Sequence, residues 1–125
     1  MPHVLRYAQL VHELVKRVPA FATEREINKS YLSHDDDDPY LVFGDFGRFL
    51  VNVIRNQPDQ MEREKLLTDS FELLSEMATS PDDQVVNVAE TTVFEAFSDF
   101  PETVAVAREY LSERAVPVFE RIVGL

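Results

Sequence analysis

Seven prolines punctuate this chain, and the segments between them repeat their apolar residues every three or four positions. Proline in a helix interior removes a backbone hydrogen bond and clashes with the carbonyl four residues back. A chain cut this way folds into a set of helices no longer than the gaps between its prolines. With only 3 glycines, multi-turn β architectures and Gly-rich phosphate loops are disfavoured. The expected fold is all-α: a compact, HEAT-like array of about six antiparallel helices forming a single domain over residues 1–125.

The spacing of Val4, Tyr7, Ala8, Val11, Leu14, Val15 and Val18 predicts a first helix over 3–18, with Pro2 in its first turn and Pro19 at its end. Thr23 and Glu26 fit a capping box, so a short second helix is expected from about residue 24, carrying Ile27, Tyr31 and Leu32. Residues 33–39, SHDDDDP, read as a loop, because four adjacent carboxylates repel and Pro39 biases Asp38 away from the helical region. Tyr40 to Phe43 reads as an extended apolar segment. Asp45 is then expected to cap a third helix whose inward face is Phe46, Phe49, Leu50, Val53 and Ile54. A fourth helix is expected over 59–78, with Leu67, Phe71, Leu74 and Met77 as its stripe. Ser80 as N-cap and Pro81 in the first turn predict a fifth over 81–98. It is apolar on most sides, with Val86, Ala89, Val93, Ala96 and Phe97 on one face and Val85, Val88, Thr92 and Phe94 extending the apolar surface around it, and so belongs at the centre of the fold. A sixth starts at Pro101, and Pro117 splits the C-terminal segment near 113–117 before Gly124 stops it.

Charge is the second constraint. The formal net charge is −11, unevenly spread: residues 66–107 hold nine acids and no Lys or Arg. Nucleic-acid affinity comes largely from Lys and Arg neutralising phosphates, so no nucleic acid is expected as a partner. The same field attracts a basic protein and speeds its encounter. The candidate interface residues are Asp35, Asp36, Asp37, Asp38, Asp82, Asp83 and Glu102.

Catalytic chemistry finds little support. The chain has no cysteine, which excludes disulfides, thiol nucleophiles and Cys-ligated metal centres. No Ser stands in a G-x-S-x-G or S-x-x-K setting. Asp45-Phe46-Gly47 spells a kinase DFG, but no Gly-rich loop or HRD accompanies it. The run at 35–38 lacks the alternating ligands, turn glycine and late Glu of a calcium loop. His3 and His12 are not at ligand spacing. No enzyme activity, metal or cofactor is expected. Glu90 and Glu95, on the central helix, are expected to need partners such as Arg48, Arg108, Arg114 or Tyr110. No run reaches about 18 apolar residues, and the first residues carry His, Arg, Glu and Lys through their apolar positions. Neither a membrane span nor a secretory leader is expected, and the cytoplasm is the expected location.

Two resemblances add to this reading. The stretch LLTDSFELLSEMATSPDDQVVNVAETTVFEAF resembles a HEAT-type hairpin, an amphipathic helix, a Pro/Asp turn and a second helix. PYLVFGDFGRFLVNVI followed by VVNVAETTVFEAF resembles a family of short, uncharacterised bacterial helical proteins, in which an apolar "phvffgd" leads into a helix and a "v-n-l-i-e" helix follows an Asp-rich turn. The matching positions are 40–45, then Val86, Asn87 and Glu95, and the resemblance covers about residues 10–123. It implies a small acidic immunity partner that binds and occludes a cognate bacterial toxin. The alternative is a HEAT-like structural or regulatory adaptor, monomeric or homodimeric, with no toxin partner.

Overall fold

A computed structural model describes residues 5–27 and 38–124. A 3-10 turn, Tyr7–Gln9, leads into α1, Leu10–Arg17, and α2, Pro19–Ile27, follows after one residue. Then come α3, Pro39–Asn56, and α4, Gln60–Ala78. Residues 83–97 form one continuous rod in three parts: α5, Asp83–Val88, a π-helical segment, Ala89–Phe94, and α6, Glu95–Phe97. The chain closes with α7, Pro101–Tyr110, and α8, Val116–Ile122. The described residues contain no strand, and the fold is all-α. Val4, Tyr31, Leu32 and residues 33–37, where a loop is expected, lie outside the described residues, as does the Ile27 side chain.

Prolines start helices here more often than they stop them. Pro19 is the first residue of α2, so this helix begins about five residues before the expected start. Thr23 is therefore no cap but an interior residue, its hydroxyl donating to the Pro19 carbonyl at 3.1 Å. Pro39 likewise opens α3, and the Asp38 carboxylate accepts from the Tyr40 amide at 2.9 Å. The backbone that Pro39 imposes on Asp38 (φ −86°, ψ 108°) is the extended conformation an N-cap requires. Tyr40 to Phe43 are thus the first turn of a helix and not an extended segment.

The stripe expected on the first helix is displaced in part: Leu14 and Val18 hold, Tyr7 and Val11 are half-buried, and Ala8 is exposed. Leu10, Leu14, Val18 and Phe21 are the buried residues, while Val15 is 43% exposed. The helix begins at Leu10, and the i, i+4, i+8 series from there carries straight into α2. Pro117 falls in the first turn of α8, and the chain does split there, with Leu111 extended after α7. Gly124, at φ +80°, takes the left-handed conformation that ends α8.

The rod 83–97 lies at the centre. Val85, Val88, Ala89, Val93, Phe94 and Phe97 are fully buried, whereas Val86 and Ala96 are half-buried. In a strict 3.6-residue period Val88 and Val93, five apart, would point about 140° away from each other. The π-helical segment supplies the extra residue. Thr91 and Thr92 donate their hydroxyls to the carbonyls of Asn87 and Val88, where the ladder changes spacing. Ser80 is not the N-cap; Asp82 is, accepting from the Gln84 amide at 2.9 Å, while the Ser80 hydroxyl accepts from the Asp82 amide at 3.0 Å.

Three contacts fix the directions. The Tyr40 hydroxyl lies 3.0 Å from Asn87 Oδ1. Gly47 packs on the backbone of Val93 and Thr92. Arg55 reaches Glu102. α3 therefore runs parallel to the rod, with α4 antiparallel to both. Edge-to-face rings join the layers, Phe21 on Phe46 at 5.2 Å and Phe94 on Phe119 at 5.3 Å.

Asp45 is not a cap. It sits inside α3, its side chain 2% exposed, between Arg25 of α2 (Nε to Oδ2, 3.3 Å) and Arg48 one turn on. A buried carboxylate is tolerated only when paired and hydrogen-bonded. This pair ties α2 to α3 across the residues between them. Asp45→Ala is expected to lower stability by about 2 kcal/mol, less than a fully buried pair would lose because Arg48 is largely exposed. Urea denaturation checks this, and an unchanged midpoint would remove the tie.

Candidate binding groove

The described members of the expected interface set lie at two ends of the fold. Asp35, Asp36 and Asp37 lie outside the described residues. Asp38 and Asp82 are N-caps with a carboxylate oxygen engaged by backbone amides. Asp83 is exposed in the first turn of α5. Glu102 pairs with Arg55 at 2.8 Å, beyond the far end of the rod. About 21 Å of helix separates Asp83 from Phe97, so Asp38, Asp82 and Asp83 belong to one end of the fold and Glu102 to the other. The Asp38 charge reaches Tyr7: partial burial first, then Asp38 and Tyr40, push the Tyr7 phenol above its usual range.

The two glutamates of the rod separate as well. Glu95 is exposed, and among the described residues it makes no ion pair. Glu90 is half-buried and faces Arg121 of α8 at 3.6 Å, a partner outside the expected set. Among the described residues no three His, Asp or Glu are grouped to hold a metal ion, and no helix is long and apolar enough to cross a membrane.

What the fold does build is an open groove of about 440 Å³ between α4 and the end of α7. It is lined by Thr68, Phe71, Glu72, Ser75, Glu76, Thr79, Tyr110 and Ser112. Thr68, Glu72, Ser75 or Glu76, and Thr79 recur at helical spacing, forming the polar stripe of α4 opposite its apolar one. The Ser112 amide donates to Ser75 Oγ at 3.0 Å, which ties the chain after α7 to α4. Tyr110 stacks on Phe71 with centroids 5.7 Å apart.

Glu76, at the rim, is held by Arg17 of α1, which also bonds Glu13 at 3.1 Å. The hydrogen bond with Glu76 raises the Arg17 guanidinium above its already high value, so Arg17 stays charged at any physiological pH. Glu72 is exposed and makes no ion pair among the described residues, and no Lys or Arg lines the groove. The polar stripe of α4 is readable in the sequence. Its meeting with Tyr110 and Ser112 is not, since no local signal joins residues 37 apart.

The family model described as Domain of unknown function (DUF7674) matches residues 11–122. Comparison with curated proteins and comparison with solved structures found no match.

Proposed function

The chain belongs to the DUF7674 family, whose description carries no activity, and from that premise we propose that it is an acidic protein-binding module of the immunity type. It neutralises a cognate bacterial toxin, a basic protein, by binding it and covering its active site or substrate cleft. The mechanism needs no chemistry of its own. The α4–α5 hairpin acts as a HEAT-like unit that presents the carboxylates.

One observation carries this reading. Residues 66–107 hold nine acids and no base, and of these Glu72, Asp83, Glu95 and Asp99 are exposed with no ion pair among the described residues. Charge left unneutralised on a surface focuses a field that steers an oppositely charged partner. Asp38 and Asp82 contribute to that field too, but each also holds a helix start, worth about 1 kcal/mol.

The test is co-expression with the product of the gene directly upstream. Loss of toxicity and a co-purifying complex are expected. Association measured by stopped flow should slow as salt shortens the Debye length below its physiological value of about 8 Å. Reversing Asp83, Glu95 and Asp99 to Lys should slow it about tenfold or more, with the fold intact because none of the three is buried or caps a helix. Changing Asp35, Asp36 and Asp37 to Asn reports the share of the 35–38 run. A rate indifferent to salt and to every substitution would leave the acidic balance as solubility alone.

A further inference from the structure

We propose that the groove between α4 and the end of α7 seats an arginine side chain of the basic partner, with its guanidinium on the Glu72 carboxylate and beside Tyr110. This rests on the protein-binding reading and names the anchor within it.

Charge complementarity is the first argument. Glu72 is an exposed carboxylate with no ion pair among the described residues, whereas Glu76 is already occupied by Arg17. A cation entering the groove therefore meets one uncompensated charge at a defined place.

The second argument is that this fold already binds its own arginines in this manner. Arg17 sets two nitrogens against the two oxygens of Glu76, one of them at 3.4 Å. Arg55 lies 4.1 Å over the Phe100 ring while its Nε is 2.8 Å from Glu102. The groove likewise sets a glutamate, Glu72, and an aromatic ring, Tyr110, in one lining; the cation at its rim, Arg17, is held by Glu76 and leaves Glu72 unpaired among the described residues.

The third argument is donor accounting. A guanidinium carries five N–H donors in a planar fork. A carboxylate takes two of them, and Thr68, Ser75 and Thr79 line the same groove, the Thr79 hydroxyl donating to the Ser75 carbonyl at 2.8 Å and keeping its lone pairs to accept. Ser75 Oγ keeps a lone pair after accepting from Ser112. An ammonium is compact and strongly hydrated, so it gains less from the ring and cannot span carboxylate and hydroxyls together. The volume, about 440 Å³, suits one long side chain with part of its backbone.

The experiment is an amide chemical-shift titration of the whole protein with an N-acetylated, C-amidated glycine pentapeptide bearing arginine at its centre. Matching peptides carry lysine or uncharged citrulline. The arginine peptide should shift amides of residues 68–79 and 110–112, the lysine peptide should bind more weakly, and citrulline should leave the spectrum unchanged. Glu72→Gln should weaken the arginine peptide about tenfold, the worth of one charge-assisted pair. Glu64→Gln, elsewhere on α4, should leave it unchanged. Arginine and lysine shifting the same amides across the whole acidic surface, indifference to Glu72→Gln, or no shift at all would each overturn the groove. The co-expressed complex separates the two readings. A complex formed equally well by Glu72→Gln removes the arginine seat and keeps the module, whereas no complex with the unaltered protein removes the module.

Discussion

Val93→Asp is expected to unfold this protein. Val93 is fully buried in the π-helical segment, and its Cα lies 3.3 Å from where a Cβ on Gly47 would stand. A carboxylate there has neither water nor room to turn toward it. An unpaired charge in such a place costs several kcal/mol, against a total stability of about 5–15 kcal/mol for a domain. Helical circular dichroism followed through a urea titration measures it. A soluble variant that unfolds cooperatively near the parent midpoint would show that the rod is not the centre of the fold.

The second large effect is at Gly47. Its side-chain position faces the backbone of the rod: a Cβ would stand 3.3 Å from Val93 Cα, 3.4 Å from the Thr92 carbonyl oxygen and 3.5 Å from Ala96 Cβ. Backbone cannot swing aside as a flexible side chain can. Gly47→Leu must push α3 off the rod, and a loss of about 3 kcal/mol is expected, the upper part of the range for overpacking. Gly47→Ala is different. Its gain in helix propensity, about 1 kcal/mol, opposes a displacement of a few tenths of an ångström, and the net change should stay below about 1 kcal/mol. Thermal unfolding of the pair separates close approach from backbone preference. If leucine is tolerated as well as alanine, the two helices do not touch there.

Much of the fold is legible in the sequence, and the failures have physical causes. α4 is readable to within a residue, because Asp59 caps it and a single amphipathic stripe runs its length. The start of α3 is misread because Tyr40 to Phe43 favour strands locally, yet Asp38 and Pro39 form a cap and first residue that override that preference. The rod is recognised as central, and Ala89, Val93 and Phe97 of its expected face are fully buried, but a 3.6-residue period applied through Ala89–Phe94 ranks Val86 and Ala96, which are half-buried, ahead of Val88 and Phe94, which are fully buried. Asp45 reads as a cap because a lone Asp before apolar residues usually is one; its role depends on Arg25, twenty residues away. The acidic character of the surface is plain from composition. Which carboxylates stay free is not, because Arg55 and Arg121 reach Glu102 and Glu90 only in the folded chain.

The π-helical segment also bears on how this chain can change length. Deleting one residue from an ordinary helix rotates everything beyond it by about 100°, turning core residues toward solvent. The rod already holds one residue more than a regular ladder needs between Val88 and Val93. Losing Thr91 would close the ladder to α spacing throughout and bring Val93 and Phe94 four positions after Val88 and Ala89, still facing inward. A gap at this point in a relative is therefore compatible with the same core, and the surplus residue marks the one place where the centre of the fold can shorten without being rebuilt.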